Sequence, residues 1–343
     1  MNIQSGFIRE SLQSGFSFFA YRLPHSGISF GRSSKPFKGL IPGGFVIAPF
    51  DLESGNILTI VPETNPADGE CSDIIPKWHE TTRGQHNNAV NKISLYHRKH
   101  GGKTVLSRMI CAEDVKIDCD SLFAALCTLY PEATVFCFRT PETGLWIGAS
   151  PERLLSSHDG TLTTMALAGT RRSGTKGKWD IKNIEEHALV ADFIVECLSE
   201  CKPCATHPYT RNAGPVEHLC CDITAKLPES ADIEKILRRL SPTPALCGSD
   251  RSASMRLIQE TESHERGCYG GFFGPYHSEN EFDFFVNLRS MNICGQDASL
   301  IVGGGITALS SPDTEWEETN IKSRSVLNAL RVCQSEILSK FDK

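Results

Sequence analysis

From Ala133 to Ala168 the chain strings together three β-rich apolar runs, ATVFCFRT, GLWIGAS and TLTTMALA, with turn residues between them and no helical period. Nothing else in the sequence constrains the fold as strongly. A parallel pair needs a crossover of a dozen or more residues, usually a helix, so successive strands without one pair antiparallel. Strand-like runs return at Gly267 to Gly274, Phe282 to Arg289 and Leu300 to Val302. KTVLSRMI opens another at Lys103, and Phe16 to Leu23 and Gly43 to Phe50 supply short ones early on.

Helical periods lie between these blocks. Gln85 to Lys99 places Ala89, Val90, Ile93 and Tyr96 on one side, and Gly101-Gly102 ends it. Ser121 to Leu129, Glu185 to Ser199 (with Leu189, Phe193 and Cys197 as its stripe) and Ile233 to Leu240 follow. The last helix starts with Ser311 as N-cap and Pro312 at the first helical position, and it runs to about Lys340. No linker-like composition divides the chain. The expected class is α+β: a single large domain over residues 1–343, with helices against large antiparallel sheets.

Charge narrows the partners. Lys and Arg number 35 and Asp and Glu 41, so the net charge is 35 − 41 = −6, without a basic run. Nucleic acids and anionic membranes demand concentrated positive charge, so neither is an expected partner. A small cationic pocket for an anionic metabolite remains compatible. The longest apolar run, Ala188 to Leu198, carries Asp192 and Glu196, and Arg9 and Glu10 interrupt any signal-peptide core. The fourteen cysteines are scattered through apolar segments, as reduced buried thiols are. A soluble, cytoplasmic protein is expected.

Six segments could carry chemistry, and each has a plain structural explanation. Lys103 in GGKTVLSR suits the edge of a sheet. Glu152 in IGASPERLL suits an exposed turn. Glu185, Glu186 and His187 sit in the expected first turn of a helix, where acids complement the dipole. Glu315, Glu318 and Lys322 share a face of the last helix, where an i,i+4 Glu–Lys pair contributes ~0.2–0.5 kcal/mol. Gly303, Gly304 and Gly305 read as a turn exposing N–H groups to an anion, without P-loop or dinucleotide spacing. SPTPALCG, residues 241–248, is a proline-stiffened loop. Cys197, Cys201 and Cys204 have the C-x3-C-x2-C spacing of an iron–sulfur motif, but the first falls late in a helix and no second CxxC completes a zinc site.

In order and spacing, the segments GGKTVLSR, FRTPETGLWIGASPERLL, LAGTRRSG, EEHALV, VEHL, LSPTPALCG, RGCYGGFFG, FVNLRS, VGGGI and EWEETNIK resemble the chorismate-utilising enzymes, from about Gln85 to Val332. The resemblance implies two mostly antiparallel sheets packed face to face with helices outside, as in anthranilate synthase component I. Residues 85–335 would form the family core and 1–84 a divergent, shortened N-terminal part. It also implies chorismate as the small-molecule substrate and Mg²⁺ as the cofactor. Glu186 and Glu318 would hold the ion, which reverses the repulsion between these acids and the substrate's ring carboxylate.

The same resemblance implies that Arg289, helped by N–H groups near Gly305, pairs with the enolpyruvyl carboxylate, and that Lys322 lies at the ring-carboxylate end. Gly169, Ala245 and Leu246 would line the substrate. Glu315, His187 and His218 would stand behind the ligands, the histidines as hydrogen bonders or as core residues. Lys103 matches the family's base and Glu152 its acid, which requires a raised carboxyl pKa. Lys103 in place of glutamine, Ala168 in place of a nucleophilic lysine, and Ala245 in place of threonine or serine resemble the isochorismate synthase branch. Alternatives are a salicylate synthase and a non-catalytic binding subunit. The branch implies a monomer without a glutamine amidotransferase subunit. Lys103 and Glu152 are expected to face each other across one cavity, unpaired, with Glu186 and Glu318 at its end.

Overall fold

The computed structural model describes residues 6–67, 69, 76, 78–213 and 216–333. In chain order come α1 (Phe7–Gln13), β1 (Ser17–Arg22), β2 (Ile28–Ser33), β3 (Phe37–Lys38), β4 (Gly44–Ala48), β5 (Leu58–Ile60), α2 (Arg83–His100) and β6 (Lys103–Ala112). Next are α3 (Cys119–Leu129), β7 (Thr134–Thr140), β8 (Gly144–Ser150), β9 (Arg153–His158), β10 (Thr161–Arg172) and α4 (Ile181–Cys197). Then follow β11 (Cys204–Ala205), β12 (Tyr209–Ala213), β13 (Val216–Lys226), α5 (Ile233–Leu240) and α6 (Arg251–Thr261). β14 (Phe272–Ser278), β15 (Glu281–Val286), β16 (Ser290–Cys294), β17 (Asp297–Thr307) and α7 (Pro312–Cys333) complete the described chain.

The strands form two sheets. The first runs β2-β1-β7-β8-β16-β17-β6, and the second β11-β13-β10-β9-β15-β14-β4-β5-β3, with β12 beside β13. Neighbours pair antiparallel: β7–β8 and β14–β15 as their helix-free succession dictates, and β1–β7 and β6–β17 across intervening helices. Alternation along β7 explains the layering. Val135 and Cys137 face α1, α3 and α7 on the outside of the first sheet, while Phe136 and Phe138 face the second sheet. There they meet Phe45, Phe273 and Phe285, with the Phe136 and Phe273 rings 3.9 Å apart. On the far side of the second sheet, Val190 and Ile194 of α4 and Ile236, Leu237 and Leu240 of α5 close the core. The result is a single helix–sheet–sheet–helix domain.

Several local expectations shift. A reciprocal Thr82–Gln85 capping box starts α2 before Gln85. Asp180, accepting from the Asn183 N–H at 2.8 Å, starts α4 at Ile181, which moves Glu185 and Glu186 out of the first turn and removes the dipole explanation for them. The stripe on α4 is His187, Val190 and Ile194, and Leu189 is exposed. The expected strand from Gly267 begins at Phe272, because the chain turns through Gly267 and Gly270, both at positive φ. β15 ends at Val286, before Arg289 adopts φ 51°. The three glycines 303–305 are the interior of a strand rather than a turn. Helix α7 is described to Cys333, and its expected extension to Lys340 lies outside the described residues. Among the described residues no helix is long and apolar enough to cross a membrane.

Candidate active site

A cavity of about 280 Å³ opens where the two sheets part, between α4 and α7. The first sheet makes room for it. β16 accompanies β17 only between Asp297 and Leu300, so beyond that point β17 is paired with β6 alone. Gly303 and Gly305 lie opposite Ser107 and Val105, whose N–H groups bond the Glu262 carboxylate and the Cys247 carbonyl instead of β17. These are therefore non-hydrogen-bonded pairs, and the peptide groups of Gly303 and Gly305 point away from β6 toward the cavity. The Gly305 N–H, expected on a turn, lies instead on an unaccompanied strand edge.

Glycines 304 and 305 leave room on both faces of this strand. A Cβ on Gly304 would stand 3.2 Å from Glu315 Oε2 and 3.6 Å from Glu318 Oε1, whereas one on Gly305 would stand 3.3 Å from Glu186 Oε1. Acids on α7 and on α4 thus converge on one stretch of backbone from opposite sides.

Lys103 starts β6 at the edge of the sheet, yet it is only 2% exposed. Its N–H donates to Ser249 Oγ at 2.9 Å, and its carbonyl accepts from the Ser249 N–H at 3.0 Å. Its ammonium donates to Glu186 Oε1 at 2.7 Å. The expectation that Lys103 and Glu152 do not pair holds, but Lys103 has a partner that the sequence did not suggest.

Glu152 sits where the chain leaves β8 for β9, crossing from one sheet to the other. Its N–H donates to Ser150 Oγ, and its carbonyl accepts from the Val286 N–H. The exposed-turn explanation fails, since the residue is 6% exposed and lines the cavity. Burial pushes its carboxyl up to about 7, against the pull of Lys103, Arg289 and Arg211.

The far end of the cavity holds Glu318 and Lys322, 2.7 Å apart, and the Lys322 ammonium also donates to the Gly303 carbonyl at 2.8 Å. Lys322 holds the Glu318 carboxyl below the ordinary range. Burial raises that of Glu315, whose Oε2 has no partner among the described residues. Arg289, at φ 51°, lines the cavity and makes no ion pair or side-chain hydrogen bond among the described residues. His218 Nδ1 lies 3.2 Å from both Thr170 Oγ1 and the Gly169 carbonyl. Burial, with Arg289 and Lys322, lowers it to about 4, which makes it a neutral imidazole at pH 7.

Gly169, at φ 73°, lines the wall, and a Cβ there would stand 3.0 Å from the Asn183 carbonyl. Asn183 also accepts the Thr170 N–H at 2.9 Å. Ala245 and Leu246 also line the cavity. Of the expected residues, His187 does not reach the cavity. It is a core histidine under α4, held toward Ala166 with its pKa lowered by burial. Buried Tyr269 lines the cavity and was not singled out as a site residue, although RGCYGGFFG was. Arg108 was also missed. It reaches across from β6 to donate to Thr319 Oγ1 at 2.8 Å and stacks on Trp316, pinning the helix that carries Glu318.

A family model described as chorismate binding enzyme matches residues 58–331. The chain belongs to the chorismate-binding enzyme family. An isochorismate synthase of Bacillus subtilis is 34% identical over 249 residues, 68% of this chain and 52% of its own length. A salicylate-biosynthesis isochorismate synthase of Pseudomonas aeruginosa is 32% identical over 67% of this chain and 51% of its own length. The chain thus spans about half the length of these curated relatives. Among solved structures, the menaquinone-specific isochorismate synthase of Escherichia coli superposes with a TM-score of 0.78 at 22% identity, over 92% of this chain and 89% of its own. Anthranilate synthase component I of Streptococcus pneumoniae gives 0.68 at 18%, over 91% and 92%. At these identities the superpositions establish the fold.

In this member of the chorismate-binding enzyme family the cavity combines two acid–lysine pairs, Lys103–Glu186 and Glu318–Lys322, with the unpaired Arg289. Among the described residues no three His, Cys, Asp or Glu side chains converge tightly enough to form a preformed metal cage. The donor chemistry nevertheless suits a hard cation that keeps several waters. Glu186 and Glu318 present carboxylate oxygens to the cavity, and beside them the unpartnered Glu315 Oε2 can accept a hydrogen bond. Cys197, Cys201 and Cys204 form no such site, and no disulfide joins the described cysteines.

Proposed function

We propose that the protein is a Mg²⁺-dependent isochorismate synthase, converting chorismate to isochorismate by addition of water at C2 and loss of the C4 hydroxyl. The observation that carries this reading is the placement of Lys103 and Glu152 in one cavity, both buried, not paired with each other, and with the carboxyl pushed up to about 7. A carboxyl titrating there is still substantially protonated at neutral pH, the state that an acid delivering a proton to a departing hydroxyl needs. Lys103 acts as the base toward water once its ion pair with Glu186 opens. Arg289 and the Gly305 N–H receive one carboxylate of the dianion.

Glu186 and Glu318 are the residues that would hold Mg²⁺. The ion's charge lets these acids share the cavity with the second carboxylate of the substrate. Because water is the nucleophile, the protein is read as acting without an amidotransferase subunit, as a cytoplasmic monomer. The test is purified protein with chorismate and Mg²⁺, products separated by chromatography. A chorismate–isochorismate mixture without pyruvate is expected. Stoichiometric pyruvate and salicylate would instead establish a salicylate synthase, and metal-bound protein without turnover a binding subunit.

A further inference from the structure

Lys103, Val105, Ala245 and Leu246 all line the cavity, but β6 and the loop carrying Ala245 and Leu246 are far apart in sequence. The loop lies along the free edge of β6. Val105 donates its N–H to the Cys247 carbonyl at 2.8 Å, Ser249 donates to the Lys103 carbonyl at 3.0 Å, and Thr104 bridges Gly248. One buried side chain rivets the two together. Arg266, which does not touch the cavity, donates Nη1 to the Leu246 carbonyl at 2.9 Å and Nη2 to the Val105 carbonyl at 2.8 Å. It is held by Glu262 at 2.5 Å and 2.9 Å, and its guanidinium lies 4.3 Å from the Phe50 ring. Glu262 in turn accepts the Ser107 N–H at 2.6 Å. The pair is therefore fastened to β6 at two alternate residues and to the loop at a third.

We infer that Arg266 is a positioning residue: its fork between the Leu246 and Val105 carbonyls sets the distance of the 243–249 wall from the Lys103 amine, and so the place of the attacking water. This deepens the isochorismate synthase reading and rests on it. Without the fork, two buried carbonyls face each other with no donor between them, and the wall must move. Lysine keeps the charge opposite Glu262, but it is a point charge on a flexible stem and cannot reproduce a planar fork. Addition of water depends on that wall. Loss of pyruvate does not. In that reaction the ring–oxygen bond to the enolpyruvyl group breaks, a ring hydrogen moves to its methylene carbon, and no outside nucleophile enters.

The experiment compares wild type with Arg266→Lys, and with the charge-free double variant Glu262→Gln/Arg266→Met in case the single variant does not fold. Three readouts are taken on folded, Mg²⁺-loaded protein: chorismate affinity, the rates at which isochorismate and pyruvate form, and amide hydrogen exchange at Val105 and Ser249. Expected are affinity within twofold of wild type, isochorismate formation at least tenfold slower with pyruvate now detectable, and exchange at least tenfold faster at both amides. Unchanged exchange, or slower isochorismate formation with no pyruvate detected, overturns the proposal, since a merely structural role would slow turnover without diverting it. In wild type the Val105, Ser107 and Ser249 amides should open as one unit, and separate opening rates would also overturn it. If wild type forms no isochorismate, the functional reading fails, while the exchange measurements still decide the clamp.

Discussion

Replacing Glu152 by glutamine removes a buried titratable group while preserving its shape, and the consequence for stability has a defined sign. The native carboxyl titrates at about 7, against a reference value of 4.5. Between those pH values the folded chain holds a proton that the unfolded chain has released, so wild-type stability falls as pH rises, by ~1.4 kcal/mol per unit. The full difference is about 3 kcal/mol, present below pH 4.5 and lost above 7. Glutamine does not titrate. Urea denaturation should find the variant within ~1 kcal/mol of wild type at pH 5 and more stable by about 3 kcal/mol at pH 8, equivalent to a Tm rise of roughly 4 °C for a chain of this size. The same variant should lose isochorismate formation by a factor on the order of 10²–10⁴, because an amide cannot deliver the proton. Parallel pH–stability curves for the two proteins, or a less stable variant at pH 8, would refute the assignment of a raised pKa to Glu152.

Lys103→Ala should reduce isochorismate formation by about 10²–10⁴-fold, leaving at most slow pyruvate release, and near-normal hydration in a product assay would reassign the base. Glu186→Gln and Glu318→Gln should each abolish Mg²⁺-dependent turnover, with calorimetric titration showing weakened Mg²⁺ binding; unchanged metal affinity would remove them as ligands. Arg289→Ala should raise KM, corresponding to ~2–5 kcal/mol for a carboxylate that loses its charged partner, and an unchanged KM would count against that contact.

The residues by themselves determined the antiparallel pairing of consecutive strands such as β7–β8 and β14–β15, because no helix lies between them. They also determined the start of α7, where Ser311 and Pro312 act locally as cap and first residue. Motif identity singled out Lys103, Glu152, Glu186, Arg289 and Glu318, and all five line one cavity. Local signals misled where a cap lay upstream of the segment they marked. Asp180 starts α4 before its acidic residues, so an apolar count from Glu185 chose the wrong stripe.

What only the tertiary structure decided depends on register and on side chains remote in the chain. Glycines 303–305 have the composition of a turn. They form a strand because β6 pairs with them, and side chains at Gly304 and Gly305 would crowd acids that arrive from α7 on one face and α4 on the other. Glu152 follows a proline in a segment that looks exposed, and its raised pKa exists because the chain changes sheets there and buries it. Lys103 lies 83 residues from Glu186, and no periodicity connects them. Hydrophobic pattern reports which side of an element is buried. Which charges then face one another is fixed when the sheets close and their desolvated groups must find partners.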